Sequence, residues 1–356
     1  MISDRLLSIV RCPDCLAGLS REEKGLVCRG CGRRYQAPDD AFLDLRPSAA
    51  FSETTKYLDE ALHADARHET VSPPLLSAAI RNDMLRAFLA PAAADRVVDL
   101  GCGSGRSLVW NQDFGAYQVG IDVSPHFAYE ARSGIDLVIG DLRRLPIADG
   151  AFTKAFSLDV AEHLSRESLV EMLREGRRVL APGGALFLYT HVRKNSRLAL
   201  GLRAINRVAQ SLDRLGLISL GQERLRKSDH LNPLADIADF RRVAAEAGFS
   251  VARIRYYTPL VGGIIENLLV RLAEGFLTRR AARGVEARST PGEAASLRAV
   301  RLKAKERIAR RGASYAMLRV LTWLMKLDIL LFSRVETGPF FALLVRHEFS
   351  IPNSEL

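Results

Sequence analysis

The sequence predicts an α/β fold in which helices cover a parallel, doubly wound sheet, with a small cysteine-rich module in front of it. From residue 73 onward, helical and strand patterns alternate along the chain. Four of the five cysteines lie between residues 12 and 31. The chain has 356 residues and is 48% hydrophobic, which is enough for two domain cores and excludes disordered, collagen-like and coiled-coil proteins.

The cysteine module is expected to span residues 1–47 and to bind zinc. Cys12 and Cys15 form one CxxC knuckle, and Cys28 and Cys31 form a second one after twelve intervening residues. Each knuckle supplies two thiolates from one tight turn, and tetrahedral zinc needs four such ligands. A closed four-thiolate site leaves no position for a substrate, so the metal is predicted to be structural. A redox role would instead require one knuckle at a helix start in a thioredoxin-like pattern.

Residues 48–72 read as a linker, and residues 73–356 as the larger domain. Two helical insertions are expected in it, at about 193–228 and 260–335. Asn232 and Pro233 resemble a helix start, followed by apolar residues at helical spacing and by the stop signal Gly248. The strands are predicted near residues 96–100, 118–121, 137–139, 155–158, 185–190, 250–257 and 340–347.

A glycine-rich turn follows the first of these strands and predicts a nucleotide-like ligand. The glycines Gly101, Gly103 and Gly105 are spaced G-x-G-x-G, and Asp99 stands two positions before the first. Glycine permits positive φ and lets the backbone approach a ligand closely. Asp122 ends the next strand, where one carboxylate can accept two ribose hydroxyl bonds. Dinucleotide-binding proteins use a similar arrangement, so the loop alone leaves that alternative open.

Five motifs in order resemble class I S-adenosylmethionine-dependent methyltransferases over residues 96–190. They are Asp99 to Gly105, Gly120-Ile121-Asp122, Gly140-Asp141-Leu142 with Leu145-Pro146, Phe156 to Leu164, and Arg178 to Gly184. The resemblance implies a Rossmann-like seven-stranded sheet. It also implies that Asp99 and the glycines bind the methionine part of S-adenosylmethionine, Asp122 the ribose, and Asp141 with Leu142 the adenine, with Asp159 as a further cofactor contact. Thr153-Lys154 departs from the family's aromatic-acidic pair before the fourth strand.

The segment 12–47 is similar to a small zinc-ribbon domain that partners or precedes several methyltransferases.

Methyl transfer requires placement of the acceptor more than covalent machinery, although a hydroxyl acceptor benefits from a nearby base. Glu162 and His163 after the fourth strand and His191 after the fifth are the catalytic candidates, with His230 next in line. Alternatively, His163 caps or braces the helix start at Leu164, and Glu162 supports the site without contacting the acceptor. No Asn-Pro-Pro-Tyr motif follows the fourth strand, which disfavours methylation of a base amino group.

The net charge of +10 is concentrated in two segments of +7 each, Arg193–Lys227 and Glu274–Arg311. Apolar residues recur among their basic residues, and residues 315–332 are rich in Leu, Met and Trp. This composition is typical of helices at an anionic membrane surface. The favoured acceptor is therefore a hydrophobic or lipid-linked small molecule, methylated at O or C by a cytoplasmic protein lying peripherally on the inner face of the membrane.

Three alternatives stay open for the basic insertions and the acceptor. The helices could simply bury against one another over the active site, or lie solvated. The second function is RNA methylation of an rRNA or tRNA base, with the ribbon and the insertions binding RNA phosphates. A scaffold with a degenerate core is disfavoured by the intact glycine, ribose and adenine motifs.

Overall fold

In the computed structural model, the strands of the described residues form two sheets. The structure describes residues 3–23, 25–36, 42–48, 71–221, 224, 228–276, 279 and 312–346. Most of the predicted linker 48–72 and most of the basic segment Glu274–Arg311 lie outside these residues. The small sheet is formed by β1 (Leu19–Glu22), β2 (Gly25–Cys28) and β3 (Arg34–Gln36), and the short helix α1 (Asp4–Ile9) precedes it.

The large sheet has eight strands rather than the seven predicted. The strands are β4 (Phe42–Asp44), β5 (Arg96–Leu100), β6 (Tyr117–Asp122), β7 (Asp136–Ile139), β8 (Phe152–Leu158), β9 (Leu180–His191), β10 (Phe249–Tyr256) and β11 (Pro339–Arg346), and their order is β10-β11-β9-β8-β5-β6-β7-β4. β4 to β9 pair in parallel, whereas β11 is antiparallel to both β9 and β10. The predicted α/β fold is confirmed, and its final two strands, β10 and β11, form an antiparallel pair.

The extra strand comes from the segment that was assigned to the ribbon. β4 pairs in parallel with β7, so that Leu43 stands opposite Val138, and the amide of Leu45 donates to the carbonyl of Ile139 at 2.9 Å. Leu43 is 1% exposed and Leu45 is fully buried, whereas Phe42 points to the other face and meets the ring of Phe127. The alternation of side chains along a strand gives this short segment one apolar residue for each core.

The ribbon shares a continuous apolar core with the large sheet. Leu6, Val10 and Leu43 are buried together with sheet residues such as Ile121 and Val138. Backbone bonds join the two parts as well, because the amide of Arg11 donates to Pro146 at 2.8 Å and that of Ala148 donates to Ile9 at 2.8 Å. The ribbon is therefore fixed against the segment that follows β7.

The helices around the sheet are α2 (Ser77–Leu89), α3 (Arg106–Trp110), α4 (Tyr129–Gly134), α5 (Arg166–Val179), α6 (Ala199–Arg214), α7 (Ile237–Glu246), α8 (Leu260–Ile264) and α9 (Ala313–Phe332). The predicted start of α7 at Asn232-Pro233 is wrong. Asp236 is the N-cap, since its carboxylate accepts from the amide of Asp239 at 2.8 Å, and Asn232 has a positive φ of 50°. Asn232 and Pro233 do not start the helix because Asn232 is hydrogen-bonded to His191 in the site described below.

The insertion helices bury against one another in part. Asp328 of α9 is fully buried, and its carboxylate accepts from the amides of Val261 and Gly262 at 2.9 and 2.7 Å. It therefore caps α8 rather than belonging to a polar helix face. The outer side of α9 remains apolar and exposed, including Met317, Trp323 and Leu330. Among the described residues, no helix is long and apolar enough to cross a membrane.

Candidate active site

A cavity of about 680 Å³ opens at the carboxyl ends of the central strands. Loops that follow β5, β6, β7 and β8 form its walls, and α2 contributes from the side. In doubly wound sheets this edge is where ligands bind. Of the residues predicted from the sequence, those that line the cavity are Asp99, Gly101, Gly103, Asp122, Asp141, Leu142, Asp159 and His163.

The glycine turn after β5 adopts a conformation that only glycine tolerates well. Gly101, Gly103 and Gly105 have φ values of 82°, 53° and 77°. A Cβ on Gly101 would lie 2.5 Å from Cγ2 of Val160, and one on Gly105 would lie 2.7 Å from Cβ of Ala131. Gly105 thus keeps the turn close to α4 without itself lining the cavity. The turn leaves the backbone of Gly103 open to a ligand.

Two buried carboxylates give the cavity a negative character. Asp122 accepts from the amides of Gly103 and Ser124 at 2.7 and 2.9 Å, which fixes the turn against β6. Burial raises the pKa of Asp122, and burial together with the charge of Asp122 raises the pKa of Asp99. A cationic ligand relieves both effects, because it stabilises the ionised carboxylates. S-adenosylmethionine carries a sulfonium and an ammonium group and fits this requirement.

The residues assigned to the adenine and to the outer rim are already engaged. Asp141 forms an ion pair with Arg143 at 2.8 Å, so its carboxylate would accept both from that guanidinium and from an adenine amine. Asp159 has a positive φ of 56° and lies 3.5 Å from Arg81 of α2. Arg81 also lines the cavity, and its charge suits the carboxylate of the methionine part. Sequence analysis missed Arg81 because nothing in the helix pattern of α2 marks it.

The catalytic candidates lie together beside this cavity, and of them His163 lines it whereas Glu162, His191 and His230 do not. Glu162 and His163 lie in a single 3-10 turn after β8, and His191 ends β9. The ring of His230 lies 4.6 Å from that of His163 and 5.4 Å from that of His191, measured between centroids. Glu162 is 3% exposed and accepts from the hydroxyl of Thr190 at 3.0 Å.

The segment before α7 holds this histidine group in place. Nδ1 of His163 lies 3.0 Å from Oδ1 of Asp229, and Nε2 of His191 lies 2.5 Å from Oδ1 of Asn232. The amides of Leu231 and Asn232 both donate to the carbonyl of Glu162, at 2.8 and 3.0 Å. Sequence analysis missed Asp229 and Asn232 as partners of these histidines. Asp229 is 66 residues from His163 in the sequence and Asn232 is 41 residues from His191, so only the tertiary fold brings each pair together.

The four ribbon cysteines form one cluster with the separation that zinc requires. Sγ of Cys12 lies 3.7 Å from that of Cys31, and Sγ of Cys15 lies 3.3 Å from that of Cys28. Tetrahedral zinc with bonds of about 2.3 Å places its sulfurs roughly 3.8 Å apart, whereas a disulfide needs about 2.05 Å. Tyr35 donates its hydroxyl to Sγ of Cys12 at 3.1 Å, as residues around a metal ligand commonly do. When bound, zinc crosslinks the two knuckles and stabilises the ribbon.

Comparison with known proteins agrees with both parts of the chain. The family model described as a methyltransferase domain matches residues 98–188, and the model described as a Trm112p-like protein matches residues 3–36. The chain is 34% identical over 120 residues to a tRNA U34 carboxymethyltransferase of Saccharophagus degradans, covering 31% of this chain and 36% of that protein.

Two further relatives differ in the substrates that their names give. The mouse (Mus musculus) tRNA (carboxymethyluridine(34)-5-O)-methyltransferase ALKBH8 is 33% identical over 95 residues, which is 26% of this chain and 14% of that protein. The sterol 4-C-methyltransferase strm-1 of Caenorhabditis elegans is 29% identical over 107 residues, 28% of this chain and 31% of that protein. The matches span well under half the length of these relatives.

Among solved structures, phosphoethanolamine N-methyltransferase 2 of Haemonchus contortus matches with a TM-score of 0.46 and 13% identity, over 84% of this chain and 62% of that chain. A chain of the complex between the Haloferax volcanii Trm112 methyltransferase activator and a methyltransferase matches with a TM-score of 0.38 and 21% identity, over 57% of this chain and 80% of that chain. The protein thus carries a class I S-adenosylmethionine-dependent methyltransferase domain with an N-terminal zinc ribbon of the Trm112p-like type.

Proposed function

We propose that the protein transfers the methyl group of S-adenosylmethionine to tRNA. The observation that carries this proposal is the union of a Trm112p-like ribbon and a methyltransferase domain in one apolar core. Two of the relatives described above are named for reactions on tRNA uridine 34. The RNA alternative thereby takes precedence over the lipid-linked acceptor that the sequence favoured.

The charge of the described residues supports an anionic, extended acceptor. On α6, which follows β9, the side chains of Arg203, Arg207 and Arg214 are exposed. Lysine and arginine supply most of the affinity of proteins for nucleic acid, because they displace counterions from phosphates. We therefore expect tRNA binding to weaken steeply as salt increases.

The residues of the chain have distinct tasks in this proposal. Asp99, Asp122 and the glycine turn bind the cofactor, and Asp141 with Leu142 and Asp159 border it. The cofactor supplies a methyl group activated by sulfonium, so that the protein mainly has to place the acceptor atom in line with it. Glu162, His163 and His191 are placed to orient the acceptor and to receive its proton.

A hydrophobic acceptor is the second candidate, and one specific observation favours it. The outer side of α9 exposes large apolar side chains, with Trp323 65% and Leu330 76% exposed. Exposed apolar surface of this kind marks binding of an apolar partner. The sterol methyltransferase among the relatives points to the same chemistry.

One labelling experiment separates the two candidates. Purified protein is incubated with methyl-labelled S-adenosylmethionine and a cell lysate, which is then divided into tRNA, protein and organic extract, with Asp122→Ala as the blank. Label in the tRNA fraction that disappears with ribonuclease and with Asp122→Ala would support the proposal. Label confined to the organic extract would overturn it in favour of the hydrophobic acceptor.

A further inference from the structure

Three side chains at the rim of the cavity bring potential metal-ligand atoms together. One atom each of Glu162, His163 and His230 lies within 4.8 Å of the other two. The turn after β8 supplies the first two residues. His230 is held over this turn because the next two amides, those of Leu231 and Asn232, donate to the carbonyl of Glu162. These bonds hold the segment that carries His230 against the turn that carries Glu162 and His163.

We propose that Glu162, His163 and His230 bind a divalent transition-metal cation beside the cofactor cavity. Two imidazoles and one carboxylate form a donor set that suits zinc, iron and manganese. With metal–ligand bonds of about 2.0–2.2 Å, the three donor atoms would stand roughly 3–3.4 Å apart. The three atoms lie within 4.8 Å of one another in the structure, so binding would require them to move closer together.

The bond between His163 and Asp229 is independent support for this site. A carboxylate that accepts from one ring nitrogen fixes the tautomer of a histidine and leaves the other nitrogen with its lone pair. Metal-binding histidines almost always have such a partner. Nδ1 of His163 lies 3.0 Å from Oδ1 of Asp229, so in this site His163 would bind the cation through Nε2.

The charges around the cluster also favour a cation. Glu162 is buried, with Thr190 on one carboxylate oxygen and Nδ1 of His191 3.9 Å from the other. Asp159 and Asp229 add two carboxylates at the same rim, and Asp159 is paired with Arg81. A buried carboxylate among other carboxylates is costly unless a positive charge compensates it. A divalent cation at this position compensates for Glu162 and for Asp229 through His163.

The role of this site rests on the methyl transfer proposed above, whereas cation binding does not. Three protein ligands leave coordination positions for an oxygen of the acceptor, whose pKa the cation lowers. The acceptor of tRNA is then a hydroxyl rather than a base nitrogen. With Glu162 and His163 holding the cation, His191 takes the proton of the hydroxyl, the oxygen forms the new bond to the methyl carbon, and the electrons of the broken carbon–sulfur bond stay on sulfur.

Binding of Mn²⁺ tests the site without reference to activity. Manganese prefers oxygen and nitrogen ligands to thiolates, so the zinc-loaded ribbon does not compete for it. The zinc-loaded protein is titrated with Mn²⁺, and free Mn²⁺ is measured by electron paramagnetic resonance. We expect one tightly bound Mn²⁺ per chain, loss of it in His230→Ala, and binding weakened by about 10- to 100-fold in Asp229→Asn. His126→Gln is the matched control, since His126 is another buried histidine of this cavity.

Equal Mn²⁺ uptake by wild type and His230→Ala would overturn the proposal, and so would the absence of tight uptake by wild type. If His230→Ala fails to fold, judged by its circular dichroism, Asp229→Asn decides, and unchanged affinity in that variant contradicts the site. If Mn²⁺ binding depends on His230 but the wild-type protein does not label tRNA, the metal site stands and the proposed function fails. If the wild-type protein labels tRNA but does not bind Mn²⁺, the proposed function stands and the metal site fails.

Discussion

Replacing Leu43 with alanine tests whether the zinc ribbon and the methyltransferase sheet unfold as one unit. Leu43 lies on β4, is 1% exposed, and belongs to the apolar core that the ribbon shares with the sheet. Truncation of a fully buried leucine costs about 2–5 kcal/mol, because apolar burial is lost and a cavity remains. For a unit of roughly 150–250 residues, each kcal/mol lowers Tm by about 2–4 °C, so a decrease of about 4–20 °C is expected.

The assay is thermal unfolding of the zinc-loaded protein, followed both by circular dichroism and by calorimetry, with zinc content measured before each scan. Leu200→Ala is the control, because Leu200 is 60% exposed and its truncation should change stability by no more than about 0.5 kcal/mol. We expect a single transition that shifts to lower temperature in Leu43→Ala alone. A shift as small as that of the control, or two separate transitions in wild type, would refute the idea of a shared core.

Three further predictions concern the cofactor cavity and the outer helices. Asp122→Ala removes the acceptor of two backbone bonds and of the proposed ribose bonds, so that the Kd for S-adenosylmethionine should rise roughly 10- to 150-fold in calorimetry, whereas Glu171→Ala on exposed α5 surface should leave it unchanged. Gly101→Ala should weaken cofactor binding as well, since its Cβ would meet Val160 at a φ of 82°, and undiminished affinity would contradict this. The hydrogen bond from Arg166 lowers the pKa of Asp239 to about 2, below its value in the unfolded chain, so this carboxylate stabilises the fold above about pH 4 and less as the pH falls toward 2. In urea unfolding at several pH values, the free energy of unfolding should therefore fall less between about pH 4 and pH 2 in Asp239→Asn than in wild type. An equal fall in both proteins would contradict this role of Asp239.

Local patterns in the chain were sufficient to predict the central part of the fold. Each of β5 to β9 is a short apolar run bounded by turn residues, and burial of both faces imposes that composition. The glycine turn could also be predicted, because the positive φ at Gly101 and Gly103 restricts the residue type at these positions to glycine. The two CxxC knuckles were equally readable, since a metal ligand set of this kind depends on spacing within tight turns.

β4 and the start of α7 could not be predicted in the same way. Three residues at Phe42–Asp44 are too few for a periodic signal, and only the open edge of β7 decides that they form a strand of the large sheet. At Asn232, the bond to His191 and the contact of its amide with Glu162 override the helix-start signal of the following proline. Tertiary contacts of this sort leave no mark on neighbouring positions in the sequence.

The sequence by itself determined the α/β class, the cluster of four cysteines and the glycine turn, because each depends on residues that are close along the chain. The tertiary structure alone decided that the ribbon and the sheet share one core, and that Glu162, His163, His191 and His230 form one group at the cavity. Such groups depend on distances between residues tens of positions apart. Those distances are set by how strands and loops pack, and packing is a property of the whole chain rather than of any segment.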